Sequence, residues 1–422
     1  MLSVADAATR ILEGTVRCTV ERVPLDVALD RVLANHVHAP DDLPGWDTSA
    51  MDGYALQAAD LAAGRTRFHV VDDIAAGRVG SVPVGAGEAT RIMTGAPLPA
   101  GADCVVMVED TTPDGADVVL RLGGERGAHG GCGGSHGGGY APGRHVRMRG
   151  SEIAAGSRVL TAGTTLGPGA LALLAGVGHG TVEVQRAPRV AILSTGDELV
   201  QPGAALGPGQ IHASNAWLLA AWVRRAGGVP VDLGVFPDEP DAIARAFEAA
   251  GACDVVLSSG GVSVGDHDHV KPALARAGVT LEFWRVAMKP GKPLAFGRYA
   301  SGTPVFGLPG NPASCMVNVA LFVWPLLRAM QGDPRPHLPR VEAQLERPVR
   351  RSPGRPEYVR VALTRRPDGT ITARPAGPQG SASLLSLSGA DGLAVFPAAG
   401  DVVEGPVTVI VVDHAWERRA TG

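Results

Sequence analysis

Apolar residues line one helical face at Val4, Ala7, Ala8, Ile11 and Leu12, behind a Ser3–Asp6 pair at capping-box spacing, and the pattern stops at Gly14. This predicts a first amphipathic helix. A second helix is expected from Pro24 over Leu25, Ala28, Leu29, Val32 and Leu33. From about residue 52 to 149 the pattern shortens to β-like runs between turns, such as 68–71 and 104–108. From about 189 to 330 it becomes regular. Strands fit 190–193, 231–235, 254–257, 281–286, 294–296 and 304–307, interleaved with helices over 215–226, 241–250, from about 270, and over 313–330. Strands alternating with helices predict a doubly wound, mostly parallel sheet. After a Pro-rich joint at 333–339, the remainder, including 407–412, reads as strands separated by turns. The expected class is α/β multidomain, with a central parallel sheet, a helical and β N-terminal region and a small C-terminal β domain.

Composition trims the function classes. Gly (57) and Pro (33) fill about a fifth of the 422 residues, against a usual share of roughly 12%, while aromatics are only 4% and hydrophobics 45%. Cores are therefore built from small side chains and loops are many. No Gly-X-Y period exists, and the persistent hydrophobic pattern argues against wholesale disorder. A formal net charge of −4 without a basic stripe argues against an extended nucleic-acid surface. The cysteines (Cys18, Cys104, Cys132, Cys253, Cys315) are scattered and form no C-x-x-C pair, as expected of small buried residues in a reducing cytosol. The first residues lack a signal-peptide pattern, and the longest apolar run, around 317–327, is interrupted by Pro325. A cytoplasmic protein with no membrane partner is expected. The tract 123–139 has Gly at ten of 17 positions and reads as a flexible loop. It holds His129, Cys132 and His136, but Gly gives such ligands no preorganised zinc geometry.

In an open α/β sheet, ligands bind beyond the carboxyl ends of the strands. The residues following the predicted strands are Ser194-Thr195-Gly196-Asp197-Glu198, Phe236-Pro237-Asp238-Glu239, the run 258–268, Lys289-Pro290-Gly291-Lys292-Pro293 and Leu308-Pro309-Gly310-Asn311-Pro312. Glycines such as Gly196, Gly260, Gly261, Gly265, Gly291 and Gly310 let backbone approach a ligand, and backbone N–H groups at helix starts bind phosphate oxygens. Lys289 and Lys292 supply point charges for an anion. Asp238, Asp266 and Asp268 would repel phosphate unless a hard cation such as Mg²⁺ intervenes. The expected ligand set is a phosphorylated molecule, a divalent metal and a second oxyanion. Taken singly, 194–198 could be a capping turn, the two lysines solvated charges, and His267 and His269 mere flanks of the acids. No Walker sequence or G-x-G-x-x-G is present, which disfavours an ordinary ATPase or dinucleotide dehydrogenase.

The runs Ser258-Ser259-Gly260-Gly261-Val262-Ser263-Val264-Gly265-Asp266, Lys289-Pro290-Gly291-Lys292-Pro293 and Gly307-Leu308-Pro309-Gly310-Asn311-Pro312 resemble the molybdopterin-binding domain of the molybdenum cofactor pathway. Ser49-Ala50-Met51-Asp52-Gly53-Tyr54-Ala55 and Arg91-Ile92-Met93-Thr94-Gly95-Ala96 are similar to the N-terminal half of the molybdopterin molybdenumtransferase family, which includes the gephyrin E domain. Pro353-Gly354-Arg355 and Gln379-Gly380-Ser381 are similar to its C-terminal β domain. The resemblance covers nearly the whole chain. It implies four parts: a linking domain at 1–50 with 146–188, an inserted β-rich domain at 51–145, the molybdopterin-binding domain at 189–330 and the small β domain at 340–422.

It also implies a reaction, in which molybdate and adenylylated molybdopterin give molybdenum cofactor and AMP with Mg²⁺. Family acidic positions fall on Asp52, Glu198, Asp238 and Asp268, with Thr94 as a further site residue. Asp238 and Asp268 are expected to hold the metal, and the resemblance places anion contacts at Lys289, Lys292, Arg355 and Ser381. Ser194, Thr195, Gly196, Gly260, Gly261, Ser263, Gly265, Pro309, Gly310 and Asn311 are expected around the substrate. Family members are homodimers in which Asp52 and Thr94 of one subunit face the strand-end loops of the other, and an upstream molybdopterin adenylyltransferase is the expected partner. One departure is Glu152, which stands where the family commonly has Asp, so its carboxylate reaches one methylene further. Rival readings are a tungstate-preferring paralogue, an adenylyltransferase, and a non-catalytic molybdopterin-binding or scaffold protein.

Overall fold

The structure, a computed structural model, describes residues 1–121, 141–260 and 270–418. The chain forms two compact units: residues 1–34, 163–167 and 182–422 in the first, and 35–162 and 168–181 in the second.

The first unit begins with helix α1 (Val4–Leu12), where Ser3 Oγ caps the backbone N–H of Asp6 as the spacing requires. The expected second helix does not form. Val20–Pro24 is a strand, and Leu25–Val27 makes only a single 3₁₀ turn. Tertiary pairing overrides the apolar spacing there. Asp30 takes φ +63°, and the backbone N–H groups of Asp30, Leu33 and Ala34 go to carbonyls of Leu166, Thr164 and Glu183 instead of to a helical turn.

The central sheet has six strands: β1 (Arg189–Thr195), β2 (Val229–Phe236), β3 (Val255–Ser259), β4 (Val279–Trp284), β5 (Ala295–Tyr299) and β6 (Pro304–Leu308), in the order β2-β1-β3-β6-β5-β4. The pairs β1–β2, β1–β3 and β3–β6 are parallel. Strand β5 is antiparallel to both β6 and β4, so the sheet is mixed. Helices α2 (Ser214–Arg225), α3 (Pro240–Ala250) and α4 (Val270–Arg276) connect the strands. Continuous apolar runs such as Val190–Leu193 are buried, as suits strands covered on both faces.

The helix that follows β6, α5 (Pro312–Met330), passes through Pro325 without a break. A π turn at Val319–Val323 widens the backbone just ahead of the ring, which removes the clash and the missing N–H that would stop a regular helix. By length and composition α5 could cross a bilayer, contrary to the expectation of an interrupted run, but 89% of its apolar window is buried inside the protein. It is a core helix, and Phe322 and Leu326 share one cluster with Phe296 and Phe306 of the sheet.

A closed barrel follows, from β7 (Arg340–Leu345), β8 (Glu357–Arg365), β9 (Ile371–Pro375), β10 (Gly392–Phe396) and β11 (Pro406–Val411) in the order β7-β9-β8-β10-β11. Val361, Leu363, Phe396 and Val409 fill it. Tyr358, Leu393 and Ile410 point outward and join the α5 core, which fixes the barrel against the sheet.

The second unit holds a six-stranded sheet in the order Cys104–Met107, Gly53–Leu56, Glu88–Ile92, Arg67–Ile74, Asp117–Leu120 and Thr111–Asp114. Tyr54, Leu56, Phe68, Val106 and Val118 form its core. The Gly-rich tract lies outside the described residues, as does Cys132; the other four cysteines are buried free thiols.

Candidate active site

Strands β1, β2, β3, β4 and β6 all point the same way, so their carboxyl ends share one edge of the sheet. The reversed β5 begins at that edge. The β4–β5 connection carrying Lys289 and Lys292 therefore lies there too.

Ser194 and Thr195 close β1 at 2% and 3% exposure, and among the described residues neither hydroxyl has a hydrogen-bond partner. An unpaired buried hydroxyl costs about 1–3 kcal/mol, which marks the spot as built for a polar visitor. Glycine lets the chain crowd here. Gly260 has φ +105°, and a Cβ on it would sit 2.4 Å from the Thr195 carbonyl oxygen. Gly196 lies under the Glu198 carboxylate, 2.5 Å from where its Cβ would be.

Asn215, the first residue of the helix expected over 215–226, organises this edge. Its Nδ2 donates to Ser259 Oγ and to the Gly310 carbonyl, both at 2.7 Å, joining the end of β3 to the loop after β6, while its Oδ1 has no partner among the described residues. The signal was present: Asn215 is the polar member of a buried stripe with Leu219, Trp222 and Val223. Asp197, in the run that follows β1, ties two strand ends. Its Oδ1 accepts the backbone N–H of Asp238 at 3.2 Å, tying the ends of β1 and β2 together. Pro309 is buried, and Asn311 opens α5 with its carbonyl accepting the Cys315 N–H.

The β4–β5 connection is held by the barrel. Lys289 N–H donates to the Pro356 carbonyl at 2.9 Å, Tyr358 N–H donates to the Lys289 carbonyl at 2.8 Å, and Lys289 Nζ meets Glu357 Oε1 at 3.1 Å. Arg355 Nη1 donates to the carbonyl of Met288 at 3.0 Å, next to Lys289. Arg351 Nη2 donates to the Arg355 carbonyl at 2.6 Å, and its Nε lies 3.6 Å from Glu357 Oε2. The Ser381 carbonyl accepts the Ala313 N–H at 3.0 Å, so Ser381 sits at the start of α5. The half-buried Lys292 ammonium has no hydrogen-bond or ion-pair partner among the described residues. Lys289 and Arg351 flank the buried Glu357 carboxylate, and with Arg355 bonded beside Lys289 and Lys292 in the same turn, positive charge is in excess and suits a dianion.

In the second unit, Asp52 and Thr94 meet. Thr94 donates its backbone N–H and its hydroxyl to Asp52 Oδ1 at 2.7 and 2.8 Å. These bonds, the N–H first, hold the Asp52 carboxyl below its usual pKa of 3.8. Gly53 is required beside it, since a Cβ there would overlap the Val106 carbonyl oxygen at 1.9 Å. Glu152 is exposed and ion-paired with Arg147 at 2.8 Å. Gly261, Ser263, Gly265 and Asp268 lie outside the described residues, and so does the 266–269 acid and histidine cluster. Among the described residues no group of three or more His, Cys, Asp or Glu side chains is placed to hold a metal.

Comparison with known proteins matches this arrangement end to end. Residues 2–178 match the MoeA N-terminal region (domain I and II), 191–329 the probable molybdopterin binding domain, and 342–411 the MoeA C-terminal region (domain IV). The chain is 37% identical over 414 residues to molybdopterin molybdenumtransferase 2 of Mycobacterium tuberculosis, covering 96% of this chain and 97% of that one. The chain belongs to the molybdopterin molybdenumtransferase family. Within the family it is also 35% identical over 416 residues to the molybdopterin molybdenumtransferase of Bacillus subtilis, covering 97% of this chain and 94% of that one. Two solved structures of the molybdopterin biosynthesis MoeA protein from Pyrococcus horikoshii align with TM-scores of 0.81 and 0.79 at 30% and 28% identity, over 97% of this chain and 99% and 100% of theirs.

Proposed function

We propose that this chain inserts molybdenum into molybdopterin, taking molybdate as the metal source and adenylylated molybdopterin as the acceptor and releasing AMP. One observation carries the proposal. Lys289 and Arg355 are fixed beside each other at the same sheet edge that buries the hydroxyls of Ser194 and Thr195, which have no partner among the described residues. The cations, with Lys292 and Ser381, are assigned to the tetrahedral oxyanion, and the Gly-lined strand ends to the pterin and its phosphates.

Mg²⁺ is the metal assigned to this site. Asp238 is linked to Asp197 at the strand ends, and Mg²⁺ typically takes one or two carboxylates plus phosphate oxygens while keeping several waters. Asp238, with Asp268, would hold it, and when bound it would offset the charge of the diphosphate. Asp52, kept ionised by Thr94, is assigned together with Glu152 and Glu198 to the remaining acidic positions. The active species in this proposal is a cytoplasmic homodimer supplied by a molybdopterin adenylyltransferase.

The test is reconstitution. Purified protein is incubated with adenylylated molybdopterin, Mg²⁺ and molybdate, and the pterin product is assayed for bound molybdenum and for activation of an apo-molybdoenzyme. Metal-loaded product that depends on this protein supports the proposal, and metal-free product contradicts it.

A further inference from the structure

Arg360 lies on β8, three residues after Glu357, and is the largest fully buried side chain of the described residues at 1% exposure. A buried cation is costly unless paired, yet among the described residues Arg360 makes no ion pair. Its donors go to one short segment instead. Nε donates to Ser386 Oγ at 3.0 Å, and Nη2 donates to the carbonyls of Pro378 and Gly380 at 3.2 and 3.0 Å. The backbone repeats the attachment: Arg360 N–H donates to Gln379 Oε1 and Gln379 Nε2 donates to the Arg360 carbonyl, both at 3.0 Å. Gly380 immediately precedes Ser381, whose own carbonyl accepts from Ala313 at the start of α5.

We infer that Arg360 is a positioning residue for oxyanion capture: its guanidinium fork locks the 378–386 segment to the barrel and thereby presents Ser381 at the start of α5. The inference rests on the molybdate reading of the site above. Only a planar, five-donor side chain can reach two carbonyls and a hydroxyl in one plane, so a lysine would keep the charge and lose the lock. The segment has no strand or long helix of its own; beyond the Arg360 set, the Gly380 carbonyl accepts from the Ser383 N–H among the described backbone groups. Without the fork, 378–386 would keep the Gln379 and Ser381 backbone bonds but lose the side-chain anchors on Pro378, Gly380 and Ser386.

The test measures AMP release against molybdate concentration for the wild type, Arg360→Lys and Ser386→Ala, with hydrogen exchange of the 377–388 amides as a readout independent of activity. Loss of one or two charge-assisted bonds predicts a half-saturating molybdate concentration raised about tenfold in Arg360→Lys and about threefold in Ser386→Ala, with maximal AMP release within about twofold of wild type. Amide protection over 377–388 should fall in both. Wild-type molybdate dependence in both variants overturns the role of Arg360 while leaving the functional reading in place, whatever happens to melting temperature. Should Arg360→Lys fail to fold, Ser386→Ala decides alone. A wild-type protein that releases no AMP brings down the functional reading and this inference together.

Discussion

A single oxygen of Asp52 receives both hydrogen bonds that Thr94 can donate, the backbone N–H at 2.7 Å and the hydroxyl at 2.8 Å. Both partners are exposed, so the pair cannot be explained as repair of a buried group. Its effect is to orient a carboxylate and keep it charged. The folded pKa of Asp52 lies below 3.8, so the stability it contributes is present above the unfolded value and is lost as pH falls through the folded one. Thr94→Val removes the hydroxyl and keeps the N–H bond. The Asp52 titration, followed by carboxyl NMR, should then move up towards 3.8 without reaching it. An unmoved titration would show that the hydroxyl does nothing to the carboxylate.

Lys292 and Lys289 are expected to differ in kind. Lys289 is restrained by Glu357, whereas Lys292 has no partner among the described residues. Lys292→Ala should raise the half-saturating molybdate concentration by about tenfold or more, the worth of a charge-assisted hydrogen bond, with little change in melting temperature. Lys289→Ala should raise it similarly but also lower the melting temperature, since among the described residues it leaves the buried Glu357 carboxylate with Arg351 as its one cation. Unchanged molybdate dependence in Lys292→Ala would remove that residue from the oxyanion site.

Gly260→Ala should destabilise the first unit by about 2–4 kcal/mol, because a methyl group would collide with the Thr195 carbonyl and the backbone would be held at φ +105°. Urea denaturation measures this directly. A loss below about 0.5 kcal/mol, the usual scatter of neutral surface changes, would mean the β1 and β3 ends are not crowded as described.

Asn215→Asp is nearly isosteric and replaces the donor that joins Ser259 to Gly310. A buried carboxylate there would face the Gly310 carbonyl, so stability at neutral pH should fall by at least about 2 kcal/mol. The new carboxyl would have a folded pKa raised above its unfolded value. Its penalty is then small below about pH 4 and grows as pH rises, the reverse of the Asp52 case. Urea midpoints at about pH 4 and pH 8, each compared with wild type, test that sign. An equal deficit at both would contradict it.

The sheet edge was legible from the chain because the loops after β1, β3 and β6 follow buried apolar runs, and small or polar residues such as Ser194, Gly260 and Gly310 punctuate that pattern visibly. The reversal of β5 was not, since an antiparallel strand carries the same apolar run as a parallel one. The helix expected from Pro24 failed because its apolar spacing is equally satisfied by pairing with distant segments, as at Leu33 and Val184. Lys289, Arg355 and Ser381 could be linked through family motifs, but their juxtaposition depends on the barrel docking on α5, which no local period encodes. Glu357, Arg360 and Asn215 share one trait, a polar side chain on a buried face, and that trait was the available signal.

The central claim is that the oxyanion is consumed at the site that cleaves the adenylylated pterin. The most direct measurement is AMP released from adenylylated molybdopterin in the presence of Mg²⁺, followed as molybdate is added. Release that is slow without molybdate, saturates with it and requires Lys292 is the predicted result. Release that is the same with and without molybdate, or that survives Lys292→Ala at limiting molybdate, would contradict it.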